Sequence, residues 1–274
     1  MVLLDGKKLS QKILDEIREE ISRTQKKLRL AIIVVGDNPV INKFIEQKKK
    51  TAEGLGIDVR IYPFEESITT NELRQRIADI VHEEKNSGVI VQLPLPPHIN
   101  KQYILNAVPP TKDVDMLSSR SVGLFATGKS PIFPPVVGAI KAFFDDYAIS
   151  LEGKEVLIMG AGSLVGRPVA LWLLGQARPF SIITDQSSNP EKFITNADVI
   201  ISGIGRPKFL TGEKIKDGVI IIDAGTSESE GKLVGDTDFE SVGSKASFMT
   251  PVPGGIGPVT VAILFKNLVT LSKK

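Results

Sequence analysis

The stretch "VLIMGAGSLVGRPVALWLL", residues 156–174, is the part of this sequence richest in chemistry. An apolar run stops at Gly160, Ala161 and Gly162, Gly166 follows four residues on, and an apolar helical pattern then begins. Strand, G-x-G and helix in that order suit a dinucleotide. One glycine permits a tight turn, another lets the backbone approach a pyrophosphate, and the helix N-terminus offers unpaired N–H groups and a partial positive charge. The spacing is G-x-G-x-x-x-G, one residue longer than the commonest fingerprint, so glycines that only let a strand and a helix pack closely remain the alternative. The next apolar run ends in "SIITDQSS", which places Asp185 near where an acid accepts hydrogen bonds from the adenosine ribose. The same charge repels a 2'-phosphate. An ordinary solvated loop aspartate is the other reading.

A second set of groups lies upstream. In "DNPVINKFIEQKKKTAEGLG", Phe44 and Lys48 are four apart, so on a helix a ring and an amine share one face. Lys48, Lys49 and Lys50 also fit a solvated charge run. Position favours a site, because ligands of open α/β sheets bind beyond the carboxyl ends of the strands, where this helix begins. Gln92 closes the apolar run "GVIVQLP", so its amide points toward the same crevice. Prolines 94, 96 and 97 stiffen the chain just after it. Asp113 and Asp115, in "PPTKDVDML", lie where another segment returns to that end.

The elements that must carry these groups are legible as patterns. Leu9, Ile13, Ile17 and Ile21 recur every four residues, the apolar stripe of an amphipathic helix. The runs "LRLAIIVVG", "GVIVQLP", "KEVLIMG", "FSIITD", "ADVIISG" and "GVIIIDAG" lack alternation, which implies strands covered on both faces, as in parallel sheets flanked by helices. The fold class is therefore α/β. A chain of 274 residues with 42% hydrophobic content reaches the length at which one core divides into two. Two domains are expected, joined through the Gly, Ser and Pro rich stretch from Ser118 to Pro135.

Composition excludes several classes. With 34 basic against 32 acidic residues there is no field suited to a phosphate backbone, so nucleic acid is not an expected partner. The absence of Cys and the presence of only His82 and His98 argue against thiolate catalysis and a zinc site, and no metal is expected. The opening "MVLLDGKKLS" lacks the apolar core of a signal peptide, and no run approaches a membrane span. A cytoplasmic protein without a membrane partner is expected.

The runs "GDNP" with Lys48 beyond it, "GVIVQLPLP", "KDVD", "VGRP", "GDTDF" and above all "TPVPGGIGPVTVAIL" resemble the bifunctional methylenetetrahydrofolate dehydrogenase/methenyltetrahydrofolate cyclohydrolase family across nearly the whole chain. The resemblance implies two α/β domains with a cleft between them, the second a Rossmann-type parallel sheet. Residues 1–118 would form a folate-binding catalytic domain, with a C-terminal helix of about 252–274 packing back on it, and 119–251 the dinucleotide-binding domain. It implies an enzyme of one-carbon folate metabolism that oxidises methylenetetrahydrofolate with NADP or NAD and hydrolyses the product to formyltetrahydrofolate, acting as a homodimer.

Residue by residue, Lys48 matches the family's catalytic lysine, Gln92 the glutamine beside it, and Asp115 the acid that holds the pterin. Phe44, Pro253, Gly254 and Gly255 fall at substrate-binding positions; Gly160, Ala161, Gly162, Asp185, Gln186 and Thr226 fall at dinucleotide positions. Phe44 stands where a tyrosine is usual, Met116 where a glycine is usual, and "FPPVVG" replaces a Pro-Cys-Thr-Pro run. Asp185 and Gln186 replace His-Ser, and Ala161 replaces an arginine, which tilts the cofactor slightly toward NAD. The alternatives are a dehydrogenase with weak or no cyclohydrolase, another dinucleotide-dependent oxidoreductase of the same fold, and a folate- or dinucleotide-binding homologue without turnover.

Overall fold

A computed structural model describes residues 1–24, 26–229 and 232–273. In chain order the elements are β1 (Val2–Leu3), α1 (Gly6–Thr24), β2 (Arg29–Val35), α2 (Pro39–Gly54), β3 (Asp58–Phe64), α3 (Thr70–His82), β4 (Gly88–Val91) and α4 (Lys101–Leu105). There follow α5 (Ser119–Ala126), α6 (Pro135–Asp146), β5 (Val156–Met159), α7 (Gly166–Gly175), β6 (Phe180–Ile183), α8 (Pro190–Asn196) and β7 (Val199–Ser202). The chain closes with β8 (Ile220–Asp223), β9 (Ser227–Ser229), β10 (Lys232–Val234), α9 (Phe239–Gly243), β11 (Phe248–Met249) and α10 (Ile256–Leu271). These residues form two compact units. One comprises Lys12–Pro135 with the chain from Val261 onward, the other Met1–Gln11 with Val136–Thr260.

In the unit built on 12–135, β2 lies between β3 and β4 in a parallel sheet. Leu30, Ala31, Ile32 and Ile33 of β2 have no exposed surface, which is why their run shows no alternation. Ile33 stands opposite Val91, so the carboxyl ends of β2 and β4 lie side by side. The chain at 112–114 extends that edge: the Val89 N–H donates to the Lys112 carbonyl at 2.8 Å, and Val89 bridges Asp113 in parallel. Helix α3 starts with a capping box, Thr69 and Glu72 each accepting from the other's backbone N–H, and buries Leu73, Ile77, Ile80 and Val81.

The stretch from Ser118 to Pro135 is not simply a linker. The Ser118 hydroxyl accepts from the Ser121 N–H and caps α5, and the whole stretch groups with 12–135. Small polar residues read as loop because the same side chains that favour turns also start helices. Pro135 opens α6, a position where a missing N–H costs nothing.

The other unit holds a six-stranded parallel sheet in the order β1-β11-β8-β7-β5-β6. All four residues of β5, β7 and β8 are buried, whereas β6 lies at an edge with Ile182 exposed. Residues 1–11 group here, with β1 pairing Val2 to Phe248 and Leu3 to Met249. Among the described residues no helix is long and apolar enough to cross a membrane.

Candidate active site

Lys48, Gln92 and Asp115 come together in the first of these units. Asn38 accepts from the Ile41 N–H and Pro39 opens α2, so the helix starts just past the carboxyl end of β2. Lys48 lies in its third turn, and its Nζ donates to Gln92 Oε1 at 3.0 Å. Gln92 is itself fixed: its N–H donates to the Ile33 carbonyl at 2.9 Å, and its Nε2 to the Leu93 carbonyl at 2.9 Å. With the amide nitrogen so engaged, the amide oxygen faces the amine. The Leu93–Pro94 peptide is cis. Lys49 and Lys50 do not share this environment; Lys49 pairs with Glu46 on the surface.

The two aspartates of "KDVD" do different things. Asp113 is buried, and its carboxylate accepts from the N–H groups of Leu117 and Ser118, so it shapes the loop. Asp115 is close enough to Lys48 for each charge to act on the other. Loss of water holds the Lys48 ammonium below the usual lysine range, an effect the Asp115 carboxylate opposes. The Asp115 carboxyl is pushed up to about 6 by the same loss of water, with Lys48 pulling it down and Asp113 adding to the rise. An amine shifted toward neutrality beside a carboxylate of raised pKa is an arrangement able to take up and give back protons. Phe44, one turn before Lys48, is 41% exposed, an aromatic surface open to a ligand.

In the other unit the glycine turn packs tightly between strand β5 and helix α7. Gly160 has φ +95°, and a Cβ at Gly166 would strike the Gly160 carbonyl oxygen, so helix α7 begins in direct contact with the turn. Ala161, Gly162 and Arg167 are exposed. Asp185 and Gln186 follow β6 and are exposed, as is Thr226 after β8; all three lie beyond the carboxyl ends of their strands. Pro253, Gly254 and Gly255 also belong to this unit, Gly254 at φ +105° after the cis Val252–Pro253 bond.

Family models decide what these two sets of residues belong to. "Tetrahydrofolate dehydrogenase/cyclohydrolase, catalytic domain" matches residues 4–115, and "Tetrahydrofolate dehydrogenase/cyclohydrolase, NAD(P)-binding domain" matches 134–274. The chain belongs to the tetrahydrofolate dehydrogenase/cyclohydrolase family. A Campylobacter jejuni relative called bifunctional protein FolD is 40% identical over all of this chain and 99% of its own length. One from Nautilia profundicola with the same name is 39% identical over all of this chain and 98% of its own. The crystal structure of the bifunctional methylenetetrahydrofolate dehydrogenase/cyclohydrolase from C. jejuni superposes with TM-score 0.96 at 40% identity, covering all of this chain and 99% of that one. A Trypanosoma brucei member complexed with NADP and an inhibitor superposes with TM-score 0.94 at 29% identity, covering all of this chain and 97% of that one.

The family's NAD(P)-binding domain is thus present here, as is its parallel sheet. At Met116, where the resemblance implies a glycine, the backbone keeps a conformation that glycine favours. Met116 has φ +57°, and the strain of roughly 1–2 kcal/mol is offset by burial of its side chain. Sequence reasoning missed Asn267. Its Nδ2 donates to the carbonyls of Val114, at 2.9 Å, and Phe133, at 2.8 Å, tying down the segment that ends in Asp115. A lone asparagine inside the apolar run of α10 was the available signal.

Proposed function

We propose that this protein oxidises methylenetetrahydrofolate to methenyltetrahydrofolate with a nicotinamide dinucleotide and hydrolyses the product to formyltetrahydrofolate, in one-carbon folate metabolism. The observation that carries this reading is the Lys48–Gln92 contact with Asp115 beside it. When bound, the dinucleotide supplies the hydride acceptor. Gly160, Ala161, Gly162 and Thr226 hold it, and the rest of the work is alignment, because the methenyl cation is stabilised by its own two nitrogens.

Hydrolysis needs proton management. Water adds to the cationic carbon and over the reaction gives up both of its protons, one to the folate nitrogen that leaves this carbon and the other to solvent. Lys48, whose ammonium burial disfavours, carries the first of these from the water to the nitrogen, while Gln92 Oε1 holds its Nζ in place. Asp115 accepts hydrogen bonds from the pterin N–H groups, and Phe44 stacks on a flat ring of the folate. A dehydrogenase with weak cyclohydrolase is the second reading, favoured by the missing hydroxyl at Phe44. A coupled assay with methylenetetrahydrofolate and each dinucleotide tests the proposal. Reduced nicotinamide accumulating only when both substrates are present supports it; no turnover with either dinucleotide sinks it.

Two predictions follow from local charge. If ionised Asp115 holds the pterin, the KM for folate is flat above about pH 7 and rises as pH falls through about 6, where the carboxyl takes up its proton. Asp115→Asn removes that pH dependence; an acid limb that persists in this variant assigns it to another group. The second concerns the cofactor. Asp185 brings a negative charge to the ribose position, with Gln186 and Ala161 supplying no positive one, so a modest preference for NAD is expected, by kcat/KM. A clear NADP preference would mean that Arg167 or another cation reaches the 2'-phosphate.

Edge strand β6 leaves Ile182 exposed, with Leu174 and Phe193 exposed on the neighbouring helices α7 and α8. A second copy of the chain covering this edge makes the protein a homodimer, which light scattering would read as twice the chain mass. The cytoplasm, where folate cofactors are used, is the compartment proposed.

A further inference from the structure

We infer that Asp236 is a positioning residue for the dinucleotide, holding residues 203–206, the loop after β7, against the glycine turn at Gly160. Asp236 has no exposed surface and lies in the motif "GDTDF". Its Oδ2 accepts from the Ser202 hydroxyl at 2.7 Å and the Ile204 N–H at 2.8 Å, and its Oδ1 from the Arg206 N–H at 2.9 Å. Three donors on one buried carboxylate set the path of a four-residue loop. That loop lies beyond the carboxyl end of β7, on the side of the sheet where a parallel α/β fold binds its ligand.

The loop also touches the turn. The Gly203 N–H donates to the Met159 carbonyl at 3.1 Å, and a Cβ on Gly160 would come within 3.1 Å of the Gly203 carbonyl oxygen. A Cβ on Gly203 would press into Val165 at 2.6 Å. Small movements of 203–206 therefore reach the glycine turn directly, because close-packed contacts transmit displacement.

Asp236 is in turn anchored by a second buried carboxylate. Asp223, which ends β8, accepts from the N–H groups of Asp236 at 3.2 Å, Thr237 at 2.8 Å and Gly225 at 2.9 Å. Side chains at Gly225 and Gly235 would collide with Asp236 and Asp223 respectively, so both glycines make room for the acids. The pair ties the loop after β7 to the loop after β8, which carries Thr226. Hydrogen bonds to a charged group are stronger than neutral ones, and they orient the loops before any ligand arrives.

This inference rests on the dinucleotide-dependent activity proposed above. In Asp236→Asn the carboxamide nitrogen meets one of the three donors, and the loop must open to relieve that contact. Titration calorimetry with NAD and with NADP should show a dissociation constant raised about tenfold or more, with the KM for methylenetetrahydrofolate moving less than about threefold. Ser202→Ala removes a single donor, leaves the carboxylate its two backbone bonds, and should weaken dinucleotide binding severalfold in a protein that melts near the wild type. If Asp236→Asn does not fold, Ser202→Ala decides. Unchanged dinucleotide affinity, or an equal rise in both substrates' constants, overturns the inference. Wild-type protein that bound neither dinucleotide would overturn the proposed activity together with it.

Discussion

Lys48→Met is expected to lower methenyltetrahydrofolate hydrolysis by about two orders of magnitude or more while the hydride step suffers less. General acid–base groups typically contribute ~100- to 10,000-fold, and the oxidation asks for alignment of two rings rather than for a base. The substitution keeps an unbranched side chain in the third turn of α2, so the helix stays intact and the loss falls on the amine. It also removes the cation that pulls the Asp115 carboxyl down, so the pH below which folate binding weakens moves upward in the variant. Separate assays of oxidation and hydrolysis across pH read both effects. Equal loss of the two activities assigns Lys48 to substrate binding instead.

The second large effect is expected from Phe44→Tyr. Phe44 retains the flat surface of an aromatic ring but has no hydroxyl to orient Lys48 one helical turn away. A hydrogen bond to a charged or reacting group contributes about 1.5 to 3 kcal/mol, which is roughly ten- to a hundredfold in rate where it acts in the transition state. The hydrolysis rate should rise within that range, with little change in folate affinity. An unchanged or lower rate in a folded variant would show that Gln92 already holds the amine well enough without the hydroxyl.

What could be read without coordinates was the part governed by local rules. The start of α2 at Pro39, the buried strands and the turn at Gly160 follow from a proline at a helix start, unbroken β-branched runs and a glycine between strand and helix. The convergence of Lys48, Gln92 and Asp115 was expected from strand ends and from the family resemblance together. Other features depend on contacts distant in sequence. Local pattern does not separate the aspartate that binds loop amides from the one whose charge acts on Lys48, since both are acids two residues apart, and only the family resemblance singled out Asp115. Asp223 and Asp236 gave no warning of their burial, because an aspartate at a strand end usually reads as solvated. Strand β1 has two residues, too short for any period to be seen.

That short strand constrains the order in which the molecule can be made. Val2 and Leu3 leave the ribosome well before their partners in β11, Phe248 and Met249. At synthesis rates of about 5 to 20 residues per second, the amino terminus waits on the order of tens of seconds for its place in the sheet. Until then the edge of β11 is unformed and two apolar side chains are free to seek other strands. A fusion at either end leaves this interval unchanged, because the length of chain between Leu3 and Phe248 sets it.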